Sequence, residues 1–274
     1  MAGAYVGARH DGAVPAEISP ADRPGAFVLR MDGHAQSHVD LEDPAHLAFD
    51  YVRRIGDVLD AWGGPGEPIR VLHVGGAAMT LPRYVAHTRP RSAQVVLEPA
   101  AEVTEQVRLE LPLPRRSGIK VRPVDGRGGL ADLRDGALDA VVVDAFADGR
   151  VPADLVTAEC AAAYARVLGD DGLLLLNLVD RAPFAWTRRV VAAVATVLPA
   201  QLLSAEPATL RGRRPGNLLL VAGRTAVPLA ALRARAQSGA APYRVLDAAQ
   251  LRDTLGGGSP FVDADTAPSP ALMT

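Results

Sequence analysis

The feature that most constrains the fold is a regular alternation of apolar, strand-like runs with helix-like segments between residues 69 and 222. Runs such as LDAVVVD and GLLLLNLV are apolar along nearly their whole length, as parallel strands covered on both faces require. This alternation predicts an open α/β sheet, whose ligand binds beyond the carboxyl ends of the strands, where strand order reverses. Strands are predicted at 69–74, 93–98, 119–124, 138–144, 172–179, 199–205 and 217–222.

The first predicted strand runs directly into Gly75 and Gly76, and the second ends in Glu98. Glycines at such a turn let backbone N–H groups approach a ligand, and an acid roughly 20 residues later can accept hydrogen bonds from two ribose hydroxyls. Gly-Gly-Ala-Ala offers no pyrophosphate cradle. The sequence therefore predicts a nucleoside pocket for an adenosyl ligand without phosphates. Glu98 has an alternative role as an acid at a helix N-terminus.

Two further acids follow strands at the same predicted rim. Asp125 precedes Gly126 after the third strand, where it could accept from an adenine amine or simply form a turn. Asp144 ends the fourth strand and is followed by a loop over 145–154 that has to cross the pocket. A carboxylate there could hold a cationic amine near a sulfonium carbon and accept its proton. Asp148, in the same loop, is a candidate second carboxylate or a turn former.

Composition excludes several classes of function. The 274 residues carry a net charge of −2, so no global basic field recruits nucleic acid or a membrane surface. The single cysteine, Cys160, excludes an internal disulfide framework and fits a reducing compartment. The N-terminus lacks a signal-peptide pattern and the apolar runs are too short to span a bilayer, which predicts a cytosolic protein.

The sequence offers neither a metal site nor a hydrolase site. Its six histidines show no zinc-ligand spacing, and we expect no metal. His73, in mid-strand, is interpreted as a core histidine that could alternatively face the ligand. A Ser-His-Asp hydrolase is excluded because the chain has no G-x-S-x-G motif.

The chain divides into four predicted regions. Residues 1–24, rich in Ala, Gly and Pro, are expected to be flexible. Asp32-Gly33 between strand-like runs predicts a β-hairpin over 25–42. The nucleoside-binding domain spans 43–225 and opens with a helix at Asp43-Pro44, with the aspartate as N-cap. Residues 226–274 are predicted to form two short helices, 228–237 and 247–255, and a flexible tail.

These features together resemble spermidine synthase and its relatives over about residues 26 to 225. The resemblance rests on Met31-Asp32-Gly33-His34-Ala35-Gln36-Ser37, Gly75-Gly76, Glu98, Asp125-Gly126 and the Asp144 loop. It implies an N-terminal β-domain packed on a class I S-adenosylmethionine methyltransferase-like (Rossmann-like) sheet, and decarboxylated S-adenosylmethionine donating an aminopropyl group to putrescine. It further implies that Gln36 touches the donor, Glu98 the ribose and Asp125 the adenine, with Asp144 as the base. Homodimers, common in that family, are a further expectation.

The chain departs from the family in places that matter for a diamine. The family carries Gly-Gly-Gly-Asp-Gly at the first turn, whereas this chain has Ala78 in place of the acid. The family's Asp-Ser-Ser-Asp-Pro becomes Asp144-Ala145-Phe146-Ala147-Asp148, and its Tyr-His-Glu is absent. A dication needs carboxylates at both ends.

The sequence therefore predicts, first, a transferase that uses S-adenosylmethionine to alkylate a small polar or amine acceptor. The alternatives are an aminopropyltransferase using decarboxylated S-adenosylmethionine and a non-catalytic member of the fold.

Overall fold

The computed structural model describes residues 16–31, 33–238 and 241–271. Its N-terminal part is a three-stranded antiparallel sheet of β1 (Glu17–Pro20), β2 (Ala26–Met31) and β3 (His34–Asp40). Strands β2 and β3 form the predicted hairpin, with Gly33 at φ 74°. Asp32 lies outside the described residues.

Strand β1 corrects the prediction that residues 1–24 are flexible throughout. Ile18 pairs with Leu29 of β2 and packs against the apolar cluster beneath this small sheet. Ala16 is also buried there. This apolar contact offsets the ordering entropy of the strand, and the rest of the segment, residues 1–15, lies outside the described residues.

Within the described residues, the main sheet has eight strands, and it contains all seven that the sequence predicts. They are β4 (Arg70–Val74), β5 (Ala93–Leu97), β6 (Ile119–Arg122), β7 (Leu138–Val143), β8 (Leu168–Asp180), β9 (Ala200–Ala205), β10 (Gly216–Gly223) and β11 (Arg244–Leu246), in the order β11-β9-β10-β8-β7-β4-β5-β6. Strands β4 to β8 are parallel, and β10 is antiparallel to both its neighbours. The eighth strand, β11, was missed because it has only three residues.

Helices cover both faces of this sheet: α1 (Asp50–Ala61), α2 (Thr80–Thr88), α3 (Ala101–Glu110), α4 (Gly126–Ala131), α5 (Ala158–Val167), α6 (Ala185–Ala195), α7 (Pro207–Leu210), α8 (Leu229–Ser238) and α9 (Ala248–Leu255). Successive strand residues enter opposite cores. Leu72 and Val74 pack on the α5 and α6 side, while Val71 packs on the α1 and α2 side. No helix in the described parts of the chain is long and apolar enough to cross a membrane.

Helix α1 begins later than predicted. Asp43 is not its N-cap, because the helix starts at Asp50 after Phe49. The backbone N–H groups of Glu42 and Asp43 instead donate to the Asp40 carboxylate, at 3.0 and 2.8 Å, which closes a turn after β3. The following residues run as an irregular segment that carries Phe49 to the rim of the sheet.

The chain reverses direction in the sheet between β4 and β7. It proceeds outward from β4 to β5 and β6, then returns to β7 on the opposite side of β4. The backbone N–H of Asp144 donates to the Val74 carbonyl at 2.9 Å at this point. Gly75 has φ 85°, and a Cβ there would lie 2.3 Å from the Asp144 carbonyl oxygen. Only glycine fits at this crossing.

The C-terminal tail is packed against the domain, which corrects the prediction of a flexible tail. Phe261 is 2% exposed, with the Trp186 ring 6.0 Å away and the Arg189 guanidinium 4.1 Å above its ring. Further along, the buried Ser269 hydroxyl accepts from the backbone N–H of Val151 at 2.9 Å. Since Val151 lies in the loop after β7, the tail fastens that loop to the body of the domain.

Phe261→Ala is expected to lower the free energy of unfolding by about 3 kcal/mol, because it opens a cavity in a closely packed cluster. Urea denaturation measures the change. The matched control is Leu109→Ala, at a side chain that is 83% exposed, where a change within about 0.5 kcal/mol is expected. Equal, small effects in both variants would mean that the tail is not held on the domain.

Candidate functional site

A single cavity of about 260 Å³ opens at the carboxyl ends of the parallel strands, around the crossing of β4 and β7. It brings together seven of the eight site residues that the sequence predicts. They are Gln36, Gly75, Gly76, Glu98, Asp125, Gly126 and Asp144. The eighth, Asp148, does not line the cavity.

Glu98 connects the tip of β5 to the glycine turn. One carboxylate oxygen accepts from the backbone N–H groups of Gly76 and Ala77, at 3.0 and 3.2 Å, and the other from Ala100 at 3.1 Å. The hydrogen bond from Ala100, the N-cap of α3, also gives Glu98 the role at a helix N-terminus that the sequence offers as its alternative. A carboxylate has about four lone-pair sites, so one acceptor position remains for a ligand hydroxyl.

Asp125 is the N-cap of α4 and accepts from the Gly128 N–H at 2.7 Å. Asp125 therefore has the turn-forming role that the sequence offers as its alternative, and it also lines the cavity. Gly126 is buried, and a Cβ there would lie 2.3 Å from the Val74 side chain. The close packing of α4 on β4 therefore requires glycine at this position. Asp154, in the single turn of 3₁₀ helix Ala153–Leu155, also lines this end of the cavity.

Asp144 lies on the other side of β4 from Glu98 and Asp125. Burial raises the pKa of its carboxyl to about 6, and a hydrogen bond from Asn177 partly opposes this shift. The Asn177 amide donates to Asp144 Oδ1 at 2.8 Å, and the Asn217 amide donates to Asn177 Oδ1 at 3.1 Å. Asn177 is 2% exposed. Two strands of the sheet therefore orient this carboxyl toward the cavity.

The loop after β7 covers the cavity as predicted, but Asp148 is not part of its wall. Ala145, Phe146 and Ala147 line the cavity, whereas Asp148 is exposed, with φ 52°. The backbone N–H groups of Ala147 and Arg150 donate to each other's carbonyls and close a tight turn around it. Asp148 therefore acts as the turn former that was its alternative role.

Aromatic residues that the sequence did not assign to the site form the cavity wall near Asp144. Tyr51 and Phe49 line the cavity with their rings 6.0 Å apart, and His38 lies edge-on to Phe49 at 6.5 Å. Burial, with a smaller contribution from the Asp144 charge, raises the pKa of Tyr51 well above its usual value. Nothing in the sequence marks Tyr51 for a binding role, because an aromatic residue in a helix such as α1 is equally compatible with ordinary packing.

His73 is a core histidine that also borders the cavity. Its Nε2 lies 2.9 Å from Gln94 Oε1, and burial lowers its pKa to about 4. It is therefore neutral at physiological pH. Within the described residues, no group of three or more His, Cys, Asp or Glu is arranged to hold a metal ion.

Comparisons of the chain with known proteins give matches by structure. No family model matches the sequence, and a search of curated proteins finds no significant match. The structure is similar to a probable spermidine synthase from Corynebacterium glutamicum ATCC 13032, with a TM-score of 0.83 and 25% identity, covering 90% of this chain and 92% of that chain. A spermidine synthase from Thermotoga maritima matches with a TM-score of 0.54 and 14% identity, over 87% and 83% of the two chains. Human methyltransferase-like protein 13, in complex with SAH, matches with a TM-score of 0.54 and 20% identity, over 64% and 82%.

The fold is thus the methyltransferase-like α/β sheet that these transferases share, preceded by a small antiparallel sheet. Within that class, the structure is similar to those of spermidine synthases, which supports the resemblance that the sequence indicates. The first-turn acid that such synthases carry is replaced by Ala78, which is fully buried.

Asp144→Asn is expected to stabilise the protein at high pH. In the folded chain the carboxyl has a pKa of about 6, whereas in the unfolded chain it titrates near 3.9. Between these values the folded state binds more protons, so the free energy of unfolding falls as pH rises. The neutral amide avoids this loss, which amounts to about 2 to 3 kcal/mol.

Urea denaturation at pH 4 and pH 8 measures this effect. The variant is expected to exceed the wild type in stability at pH 8, and the difference is expected to shrink strongly toward pH 4. Asp170→Asn, at an exposed position near the opposite end of β8, is the matched control and is expected to show no such pH dependence. A difference that is the same at both pH values would show that Asp144 ionises without penalty.

Proposed function

We propose that the protein is a transferase that binds an adenosyl sulfonium donor, S-adenosylmethionine, and alkylates a small polar or amine acceptor that Asp144 orients and deprotonates. The placement of the cavity residues on the two sides of β4 supports this function. The glycine turn, Glu98 and Asp125 lie on one side of β4 in the cavity, and Asp144 lies on the other. This arrangement suits a nucleoside at one end and a reacting group at the other.

The donor's nucleoside fits the side of the cavity that contains Glu98. The remaining acceptor position of Glu98 would take one ribose hydroxyl, Asp125 would accept from the adenine amine, and Gln36 would contact the donor from β3. Because the glycines of this turn have no side chains, the nucleoside can lie directly against the backbone. The spermidine synthase matched in complex with the analogue AdoDATO, at a TM-score of 0.52 and 14% identity, supports a site of this general kind through its fold alone.

The chemistry asks little of the protein beyond alignment. A sulfonium already activates the carbon next to it, so catalysis consists mainly of placing the nucleophile in line and excluding water. A protonated amine must first lose a proton. The raised pKa of Asp144, about 6, brings its basicity closer to that of an amine than an ordinary aspartate would, and this favours the transfer.

Two donors fit the proposed site, and a different observation favours each of them. S-Adenosylmethionine pairs its ammonium with its own carboxylate, so it needs no acid where Ala78 now stands. Decarboxylated S-adenosylmethionine, the donor of an aminopropyltransferase, has no carboxylate to accommodate, and no lysine or arginine is found among the described residues that line the cavity. We place S-adenosylmethionine first because an ammonium left without a partner in a buried site is costly.

Isothermal titration calorimetry with S-adenosylmethionine, its decarboxylated form and methylthioadenosine separates these possibilities. Tighter binding of the carboxylated donor supports the first function, and tighter binding of the decarboxylated donor supports the second. Absence of binding for all three ligands would identify a non-catalytic member of the fold and would overturn the proposal.

Glu98→Ala is expected to weaken methylthioadenosine binding about 100-fold, because it removes a charge-assisted hydrogen bond worth about 3 kcal/mol. Calorimetry measures the change, and a thermal melt verifies that the variant is folded, since Glu98 also supports the glycine turn. Glu105→Ala, an exposed acid in the middle of α3, is the matched control. Unchanged affinity in a folded Glu98→Ala variant would remove the ribose assignment.

A further inference from the structure

The carboxyls that line the cavity follow strands that lie apart in the sheet. Asp144 follows β7, whereas Glu98 follows β5 and Asp125 follows β6. The strand order β7-β4-β5-β6 separates the first of these ends from the other two by two and three strand spacings, or roughly 10 and 14 Å. The acidic groups are therefore unevenly distributed along the cavity.

The fourth acid, Asp154, belongs to the end with Asp125. Its backbone carbonyl accepts from the Arg127 guanidinium of α4 at 3.0 Å, and Asp125 and Arg127 are among the charged groups that influence its carboxyl. When a nucleoside covers Glu98 and Asp125, Asp144 remains as the carboxyl that faces the acceptor.

The walls near Asp144 are apolar and aromatic. Tyr51 is close enough to feel the Asp144 charge, and Phe49 stacks beside it with ring centroids 6.0 Å apart. Phe146, two residues after Asp144, and Val142, two residues before it, also line the cavity. Such walls favour an apolar body over a second charged group, because burying an unpaired ion is costly.

An anionic group on the acceptor is also disfavoured. Glu98, Asp125, Asp144 and Asp154 are the acids that line the cavity, and no lysine or arginine is found among the described residues that do so. A carboxylate or phosphate brought near Asp144 would meet a like charge, with no lysine or arginine among the described lining residues to compensate for it.

We propose that the acceptor is a primary amine that carries one positive charge on an apolar or aromatic body, and not a diamine or an amino acid. This inference rests on the proposed function. The ammonium gives one proton to Asp144, and the nitrogen lone pair then forms a bond to the carbon beside the sulfonium. The bond between that carbon and sulfur breaks, and its electron pair stays on sulfur, which leaves a neutral thioether and a secondary ammonium.

Competition among matched amines tests the inference on protein saturated with methylthioadenosine. Calorimetry compares 2-phenylethylamine, butylamine, 1,4-diaminobutane and phenylalanine. We expect 2-phenylethylamine to bind at least tenfold more tightly than either 1,4-diaminobutane or phenylalanine, with butylamine between them. Tighter binding of the diamine or of phenylalanine, or no binding of any amine to the methylthioadenosine complex, would overturn the inference.

Two variants show where the amine binds. Asp144→Asn is expected to lose most of the affinity for 2-phenylethylamine while keeping that for methylthioadenosine, and Phe49→Leu is expected to reduce the preference for 2-phenylethylamine over butylamine. Asp170→Asn is the matched control for the first. Failure of S-adenosylmethionine, its decarboxylated form and methylthioadenosine all to bind would instead refute the proposed function. The two failures are therefore distinguishable, because the nucleoside is titrated before any amine is added.

Discussion

The structure of the site depends on the close approach of two chain segments where the sheet reverses direction. The backbone N–H of Asp144 donates a hydrogen bond to the Val74 carbonyl. Because Gly75 has no side chain, the Asp144 carbonyl can lie against the glycine turn. A side chain at Gly75 would separate β4 from the segment after β7. That one contact brings the glycine turn and the Asp144 carboxyl into the same cavity.

A buried chain of polar groups extends from this crossing toward α1. Asp144 accepts from Asn177, Asn177 accepts from Asn217, and the Asn217 carbonyl accepts from the guanidinium of Arg54 at 3.1 Å. Burial lowers the pKa of Arg54 to about 10, so it remains charged at neutral pH. Buried amides of this kind have few alternative partners, which fixes their orientation. The antiparallel strand β10 therefore contributes to the site although it supplies no wall of the cavity.

The sequence predicted the elements with a regular pattern and missed those that depend on tertiary contacts. Most of the seven predicted strands are apolar over much of their length, and β6 alternates apolar and charged residues, so their positions follow from the local sequence pattern. The packed tail depends on how Phe261 meets Trp186, residues far apart in sequence, and no periodicity reports such a contact. Similarly, the acids at strand ends were predictable because strand ends share an edge, whereas Tyr51 reaches the cavity only because α1 begins at Asp50 and Phe49 precedes it. The amides of Asn177 and Asn217 could not be predicted as partners either, because only the register between β8 and β10 brings them together.

The departures from the family form a consistent set when the charges are considered together. Ala78 stands where the family resemblance places an acid, and Asp148 is exposed, so Asp144 is the acid that lines the cavity on its side of β4. An additional carboxylate there would raise the cost of ionising Asp144, since like charges in a buried site repel. With a single carboxyl, the site can pair with one ammonium and then accept its proton. A diamine would bring a second ammonium, which would have no carboxylate partner there. The arrangement is consistent with an acceptor that carries one cation, because a single carboxyl, oriented by the amides of Asn177 and Asn217, faces this part of the cavity.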